Sequence, residues 1–254
     1  MTCYLELEAV LGTPFVHPGG ARATTYLLTQ LQIAAGDRAL DVGCGSGATA
    51  RAAAALGATV AAVDILPAML VAARRRRGMP GTAPVWYVQA DVVEGLPFAD
   101  ACFDAVWAES VLALVDARRA LVECVRALRP GGRLVVNERI WRPGTSSGDA
   151  ARINDLSRRC FGIPAATNEP LDHAGWTELL AAAGTTVTGL TRVDDVAPAR
   201  VQPAPQRDWL ARQLRYLSPP LHLARSLRWR WLARRHRPAW SRLESWIFVT
   251  EKLP

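Results

Sequence analysis

Hydrophobic positions along the chain fall into two alternating rhythms. Between residues 38 and 138, short apolar runs alternate with stretches in which apolar residues recur every three or four positions, as strands joined by crossover helices require. The runs at 39–42, 59–63, 85–89, 103–107 and 133–137 predict five strands. Helices are predicted between them at 48–56, 67–77 and 116–128, with Pro67 in a first turn and Asp116 as an N-cap. Right-handed crossovers bring the carboxyl ends of these strands to one edge, where doubly wound sheets hold ligands.

Beyond residue 138 the rhythm loosens. Residues 144–148 read as a loop, 151–161 and 172–183 as helices, and 185–193 and 246–251 alternate like two further strands. Ahead of the sheet, Thr25, Tyr26, Leu28 and Leu31 mark an amphipathic helix. The expected fold class is therefore α/β, a doubly wound, Rossmann-like, seven-stranded and mostly parallel sheet with helices on both faces. It divides into an N-terminal helical cover (1–36), a ligand-binding core (37–195), a basic helical insertion (196–243) and a closing strand (244–254), all in one domain.

Charge changes this picture in one place only. Of the formal net charge of +7, residues 200–242 carry +10, from eleven arginines against the single acid Asp208, and the rest of the chain is at −3. A mildly acidic body makes nucleic acid an unlikely partner and confines the basic character to one insertion. The five cysteines, Cys3, Cys44, Cys102, Cys124 and Cys160, are odd in number and include no C-x-x-C, which argues against a disulfide framework or a thiolate zinc site. No H-x-x-x-H spacing suggests a metal. The first twelve residues lack a basic n-region and no apolar run approaches the ~18 residues of a membrane span, so a cytoplasmic location is expected.

The candidate chemistry begins at Ala39-Leu-Asp-Val-Gly-Cys-Gly-Ser-Gly47, a strand entering a glycine turn and then a helix. Gly43, Gly45 and Gly47 allow a sharp turn and close approach of a ligand to the backbone. Asp64 ends the next strand, placed to bond vicinal ribose hydroxyls, and Asp91 ends the third in Val88-Gln-Ala-Asp-Val92. Either aspartate could instead be a helix N-cap or a solvated loop carboxylate. In this order the features resemble the class I S-adenosylmethionine-dependent methyltransferases, in particular the small-molecule branch with a D-x-G-x-G-x-G signature. The resemblance is specific over about residues 37–138, looser to 195 and absent across the basic insertion. Gly43, Gly45 and Ala48 also satisfy the relaxed G-x-G-x-x-G/A pattern of nicotinamide and flavin enzymes, the nearest rival.

The resemblance implies S-adenosyl-L-methionine as cofactor. Asp41 and the backbone of Gly43, Cys44, Gly45 and Gly47 would hold its methionine end, Asp64 its ribose with Ile65 against the adenine, and Asp91 the adenine amino group with Val92 flanking the ring. The implied activity is methyl transfer to a small-molecule acceptor by in-line displacement. Where DNA and protein-amide methyltransferases of this fold carry N/D-P-P-Y/F, the chain has Ala108-Glu-Ser-Val111, which weakens base or amide nitrogen as acceptor. The alternatives are an RNA methyltransferase, or a non-catalytic cofactor-binding protein docking through its insertion.

Four residues are candidates at the acceptor. Glu109 follows the fourth strand, Glu138 is read as following the fifth, and His17 or Tyr26 in the N-terminal cover could line the acceptor site. A carboxylate there can orient a donor or act as base, and histidine has the intrinsic pKa of a base. The competing readings are a salt bridge for each glutamate and a simple turn at Pro18 for His17. In the insertion, Leu221, Ala224, Leu227 and Trp231 share helical spacing, with Arg225, Arg228, Arg234 and Arg235 on other faces. A lid, a peripheral contact with anionic membrane through residues 200–242, and a solvated arginine face remain open readings.

Overall fold

The computed structural model describes residues 4–11, 13–76, 81–196 and 220–254. Seven strands, β1 (Arg38–Val42), β2 (Thr59–Asp64), β3 (Val85–Gln89), β4 (Phe103–Glu109), β5 (Leu128–Trp141), β6 (Thr185–Arg192) and β7 (Leu243–Lys252), form one sheet in the order β3-β2-β1-β4-β5-β7-β6. The first five run parallel, and β7 enters antiparallel between β5 and β6. The chain leaves β1 towards β2 and β3, then returns to β4, so a crevice opens beyond the carboxyl ends of β1 and β4.

Alternation along β1 shows how the sheet is covered. Leu40 and Val42 join a core with α5 (Ala117–Ala127) and α7 (His173–Ala182), while Ala39 joins the opposite core with α2 (Gly20–Leu31) and α3 (Ala48–Ala55). Both faces are apolar because both are covered, and each fully buried Leu or Val adds about 1.5–3 kcal/mol of transfer free energy. Asp116 caps α5 by accepting from the Arg119 amide. Pro67 opens α4 (Pro67–Arg74), whose end falls short of the predicted one; residues 77–80 lie outside those described. The N-terminal α1 (Tyr4–Leu11) lies against α4, and α2 presents Ala23, Thr24, Leu27, Leu28 and Leu31 to the core.

Some local expectations are corrected. β5 does not stop at residue 137 but continues to Trp141, since β7 pairs with it from Arg133 to Trp141. Glu138 is thus inside a strand rather than after it. Ser146 caps α6 (Ser147–Phe161) by accepting from the Asp149 amide, which shortens the predicted loop. Most of the insertion's first half, residues 197–219, lies outside the described residues, and its second half forms α8 (Pro220–Arg235) and α9 (Arg237–Trp240). On α8 two residues of the apolar seam, Leu227 and Trp231, are each 55% exposed, while Trp229 and Leu232 are half-buried. Helical spacing finds a stripe, but which stripe faces inward depends on the partner surface, here α1 and α6.

Candidate active site

The glycine turn after β1 is held by its own contacts. The Cys44 amide donates to Val63 O (2.8 Å), Gly47 to Cys44 O (2.8 Å) and Gly45 to Asp64 Oδ2 (2.8 Å). Gly43 and Gly47 have φ of +69° and +70°, and a Cβ would fall 2.1 Å from Val111 Cγ2 at the first and 2.6 Å from the Tyr87 hydroxyl at the second. Neither position admits a side chain without movement. At Gly45 a Cβ would meet only Met69 Sδ, 3.9 Å away, so this backbone faces open space.

That space is a cavity of about 400 Å³. The turn forms one wall, with Asp41, Asp64, Ile65, Asp91 and Val92 beside it and Leu5 and Phe15 of the N-terminal cover opposite. The topology therefore brings together every residue expected to hold the cofactor except Gly47, which supports the turn from behind against Tyr87. Asp64 also accepts from the Leu66 amide (2.9 Å), and Asp91 from the Val93 amide (2.9 Å). These bonds fix the orientation of both carboxylates and leave lone pairs for a ligand. Ile65 is 54% exposed, the exposure expected of a side chain that a flat ring can cover.

A line of polar groups crosses the sheet face beneath the cavity. Asp41 on β1 is buried, and its Oδ2 has no partner. Burial, then the charges of Glu109 and Asp64, push its pKa well above the usual carboxylate range. Burial likewise raises Asp64, against the two backbone amides that lower it. Glu109, ending β4, accepts from Thr49 Oγ1 on α3 (2.7 Å) and Thr24 Oγ1 on α2 (3.0 Å), and meets His17 Nε2 at 3.2 Å. The Glu109 and His17 side chains are only 7% and 6% exposed. His17 Nδ1 lies 3.1 Å from Pro18 O and 3.2 Å from Asn137 Nδ2, so both ring nitrogens engage protein groups. His17 ties the cover to the sheet edge through Glu109. Tyr26, the other candidate from the cover, hydrogen-bonds Thr191 Oγ1 (2.8 Å) and lines neither cavity.

Glu138 lies on the opposite face of β5. Its Oε1 accepts from the Val111 and Leu112 amides, both at 2.7 Å, and its Oε2 is buried without a partner. Burial lifts its pKa to about 8. These bonds pin the segment after β4, where Ser110 adopts φ +59°, a strained conformation for a non-glycine residue. Sequence reasoning missed Ser110, Thr24 and Thr49, because hydroxyls in loops and helices give no spacing signal. Cys44 is buried and its thiol is raised far above its ordinary range, and Cys160 is also buried, so both pack rather than react. Among the described residues no cluster of metal-binding side chains occurs, and no helix is long and apolar enough to cross a membrane.

Residues 40–136 match the family model described as "Methyltransferase domain". Methyltransferase GfsG of Streptomyces halstedii is 35% identical over 179 residues, which is 69% of this chain and 62% of that protein. The 27-O-demethylrifamycin SV methyltransferase of Amycolatopsis mediterranei is 35% identical over 147 residues, 56% of this chain and 54% of that protein. The chain thus spans less than two thirds of these relatives. Among solved structures, the [4+2]-cyclase SpnF superposes with a TM-score of 0.70 over 98% of this chain and 91% of SpnF, at 23% identity, which is a likeness of fold. Matched core sequence, strand order and the crevice at the β1–β4 edge converge on one likeness: residues 40–136 match a methyltransferase domain, and the chain is similar to methyltransferases beyond it.

Proposed function

We propose that the chain is an enzyme that moves the methyl group of S-adenosyl-L-methionine to a small-molecule nucleophile. One observation carries the cofactor reading over its nicotinamide and flavin rivals. The first cavity is lined by four carboxyls, Asp41, Asp64, Asp91 and Glu109, and, among the described residues, by no lysine or arginine. The turn amide that a pyrophosphate would need at Gly45 is spent on Asp64. Such a wall repels phosphates and favours a cation.

The bound cofactor supplies an electrophilic methyl group on a sulfonium. Asp64 would receive the ribose hydroxyls, Asp91 the adenine amino group, Ile65 and Val92 the ring faces, and Asp41 with the glycine turn the methionine end. The remaining task of the protein is alignment and exclusion of water. Leu5 and Phe15 roof the cleft. Glu109 orients the reacting end, and His17 acts as a positioning residue that holds Glu109 and the cover in register. A small-molecule acceptor is favoured by the relatives, one of which is named for methylating an oxygen of rifamycin.

Calorimetry with S-adenosylhomocysteine and transfer of labelled methyl into a metabolite extract test this reading. Preferential binding of NADH would overturn the cofactor assignment, and label found only in RNA or protein would overturn the acceptor. A second reading, a cofactor-bound protein that transfers no methyl group, is favoured by the fold shared with a cyclase. For the insertion, a peripheral contact with anionic membrane is supported by exposed Leu227 and Trp231 beside exposed Arg228, Arg234 and Arg235.

A further inference from the structure

A second cavity of about 720 Å³ adjoins the first, and the two share Phe15, Val16, His17, Ser110, Leu114 and Ile163 as walls. A molecule in it would therefore lie next to whatever occupies the cofactor cleft. Its outer wall is a chain of aromatic rings from three parts of the protein. Tyr4 of α1 meets Trp229 of α8 edge-on with centroids 5.1 Å apart and Phe161 of α6 at 6.3 Å, and Phe161 meets Trp240 of α9 at 5.9 Å. Flat aromatic faces of this extent suit a large ring-bearing or polyene molecule.

Each unpartnered polar group of this chamber can accept a hydrogen bond, and the Ser110 hydroxyl and the protonated Glu138 carboxyl can also donate one. Glu138 is fully buried and Glu8 is 8% exposed, and each has an Oε2 without a partner; Ser110 Oγ is likewise buried and unpartnered. Buried polar atoms in native proteins are normally satisfied, so three orphans around one cavity point to a ligand that supplies donors. Glu244 adds a third carboxyl to the lining, and among the described residues Arg139 is its one arginine. Protein packed around Arg139 lowers its pKa. A phosphate monoester carries about two negative charges, and the Glu8 and Glu244 carboxylates of the lining oppose it.

We propose that this chamber is the acceptor site and that it takes a bulky, largely apolar molecule presenting hydroxyl or ammonium donors to Ser110, Glu8 and Glu138, and not a phosphorylated one. The inference rests on the methyltransferase reading for the word acceptor, but the binding it describes is measurable without catalysis. It also gives the insertion a role: α8 and α9 contribute Trp229 and Trp240 to the wall.

The test uses the full chain and three probes of one shape: 1-pyrenemethanol, 1-pyrenemethylamine and 1-pyrenylmethyl phosphate, read by energy transfer from tryptophan to pyrene. The alcohol or the amine should bind at least about tenfold more tightly than the phosphate, the factor one charge-assisted contact supplies. The tighter of the two identifies the donor. Glu8→Gln should narrow that gap, and Trp229→Ala should weaken all three probes. Phosphate binding equal to or tighter than the alcohol, or affinities unmoved by Trp229→Ala in a folded variant, would overturn the proposal. Calorimetry with S-adenosylhomocysteine on the same sample separates the two readings. Cofactor-product binding without probe binding sinks the chamber alone, and probe binding without it sinks the methyltransferase reading alone.

Discussion

Replacing Gly43 by alanine tests whether the glycine turn is held as tightly as the structure implies. The new Cβ would lie 2.1 Å from Val111 Cγ2 and 3.0 Å from Cγ1, at a φ of +69°. An L-residue in the left-handed region costs about 1–2 kcal/mol, and overpacking by a methyl group typically about 1–3 kcal/mol, so the expected loss is about 2–5 kcal/mol. Val111 has little freedom to yield, because it is β-branched and the Glu138 carboxylate holds its amide. The companion change Val111→Ala removes the two nearest carbons and leaves Val111 Cβ at 3.1 Å. In the double variant most of the overpacking share should vanish, giving a coupling of up to about 1–3 kcal/mol and leaving the backbone share in place. Urea denaturation followed by circular dichroism measures all four proteins, with S-adenosylhomocysteine affinity as the functional readout. Additive effects of the two changes, or a cost for Gly43→Ala below about 0.5 kcal/mol, would refute the reasoning, since that size is ordinary for a surface substitution.

Other perturbations probe the remaining contacts. Asp64→Ala should weaken S-adenosylhomocysteine binding by at least about tenfold in calorimetry, since it removes a charged acceptor; normal binding would return Asp64 to a purely structural role. The folded state raises Glu138 from 4.5 to about 8, so it holds a proton that the unfolded chain releases. Stability should therefore fall as pH rises from about 4.5 to about 8, by at most about 5 kcal/mol from this residue. Asp41 and Asp64 shift in the same direction, so Glu138→Gln should reduce the slope in urea titrations at pH 5.5 and 8.5 without abolishing it. Glu109→Gln should lower turnover much more than cofactor affinity if Glu109 serves the acceptor, and equal losses in both would make it a cofactor ligand. In sedimentation with phosphatidylserine vesicles, Trp231→Glu should abolish co-sedimentation at low salt, and added salt should release the unaltered protein. No sedimentation of the unaltered protein would dismiss the lipid contact.

Strand and helix order between residues 38 and 138 was legible because it is written in local rhythm. Parallel strands covered on both faces read as apolar runs, and the glycine turn reads as residues that need a positive φ or no Cβ. For the same reason Asp41, Asp64 and Asp91 could be placed at strand ends and assigned to one edge before any contact was known. What local pattern could not reach were relations across the sheet. Glu138 read as lying beyond a strand because its burial depends on β7, more than a hundred residues away, extending the pairing to Trp141. His17 read as either a base or the start of a turn at Pro18, because the groups that engage its ring, Glu109 and Asn137, lie on β4 and β5. Helical spacing put Leu227 and Trp231 on one stripe of α8, while only the neighbours decide that these two are left exposed. The second cavity has no signature in the chain at all. Its walls are aromatic residues from α1, α6, α8 and α9, spread from Tyr4 to Trp240, and only tertiary packing makes them one surface.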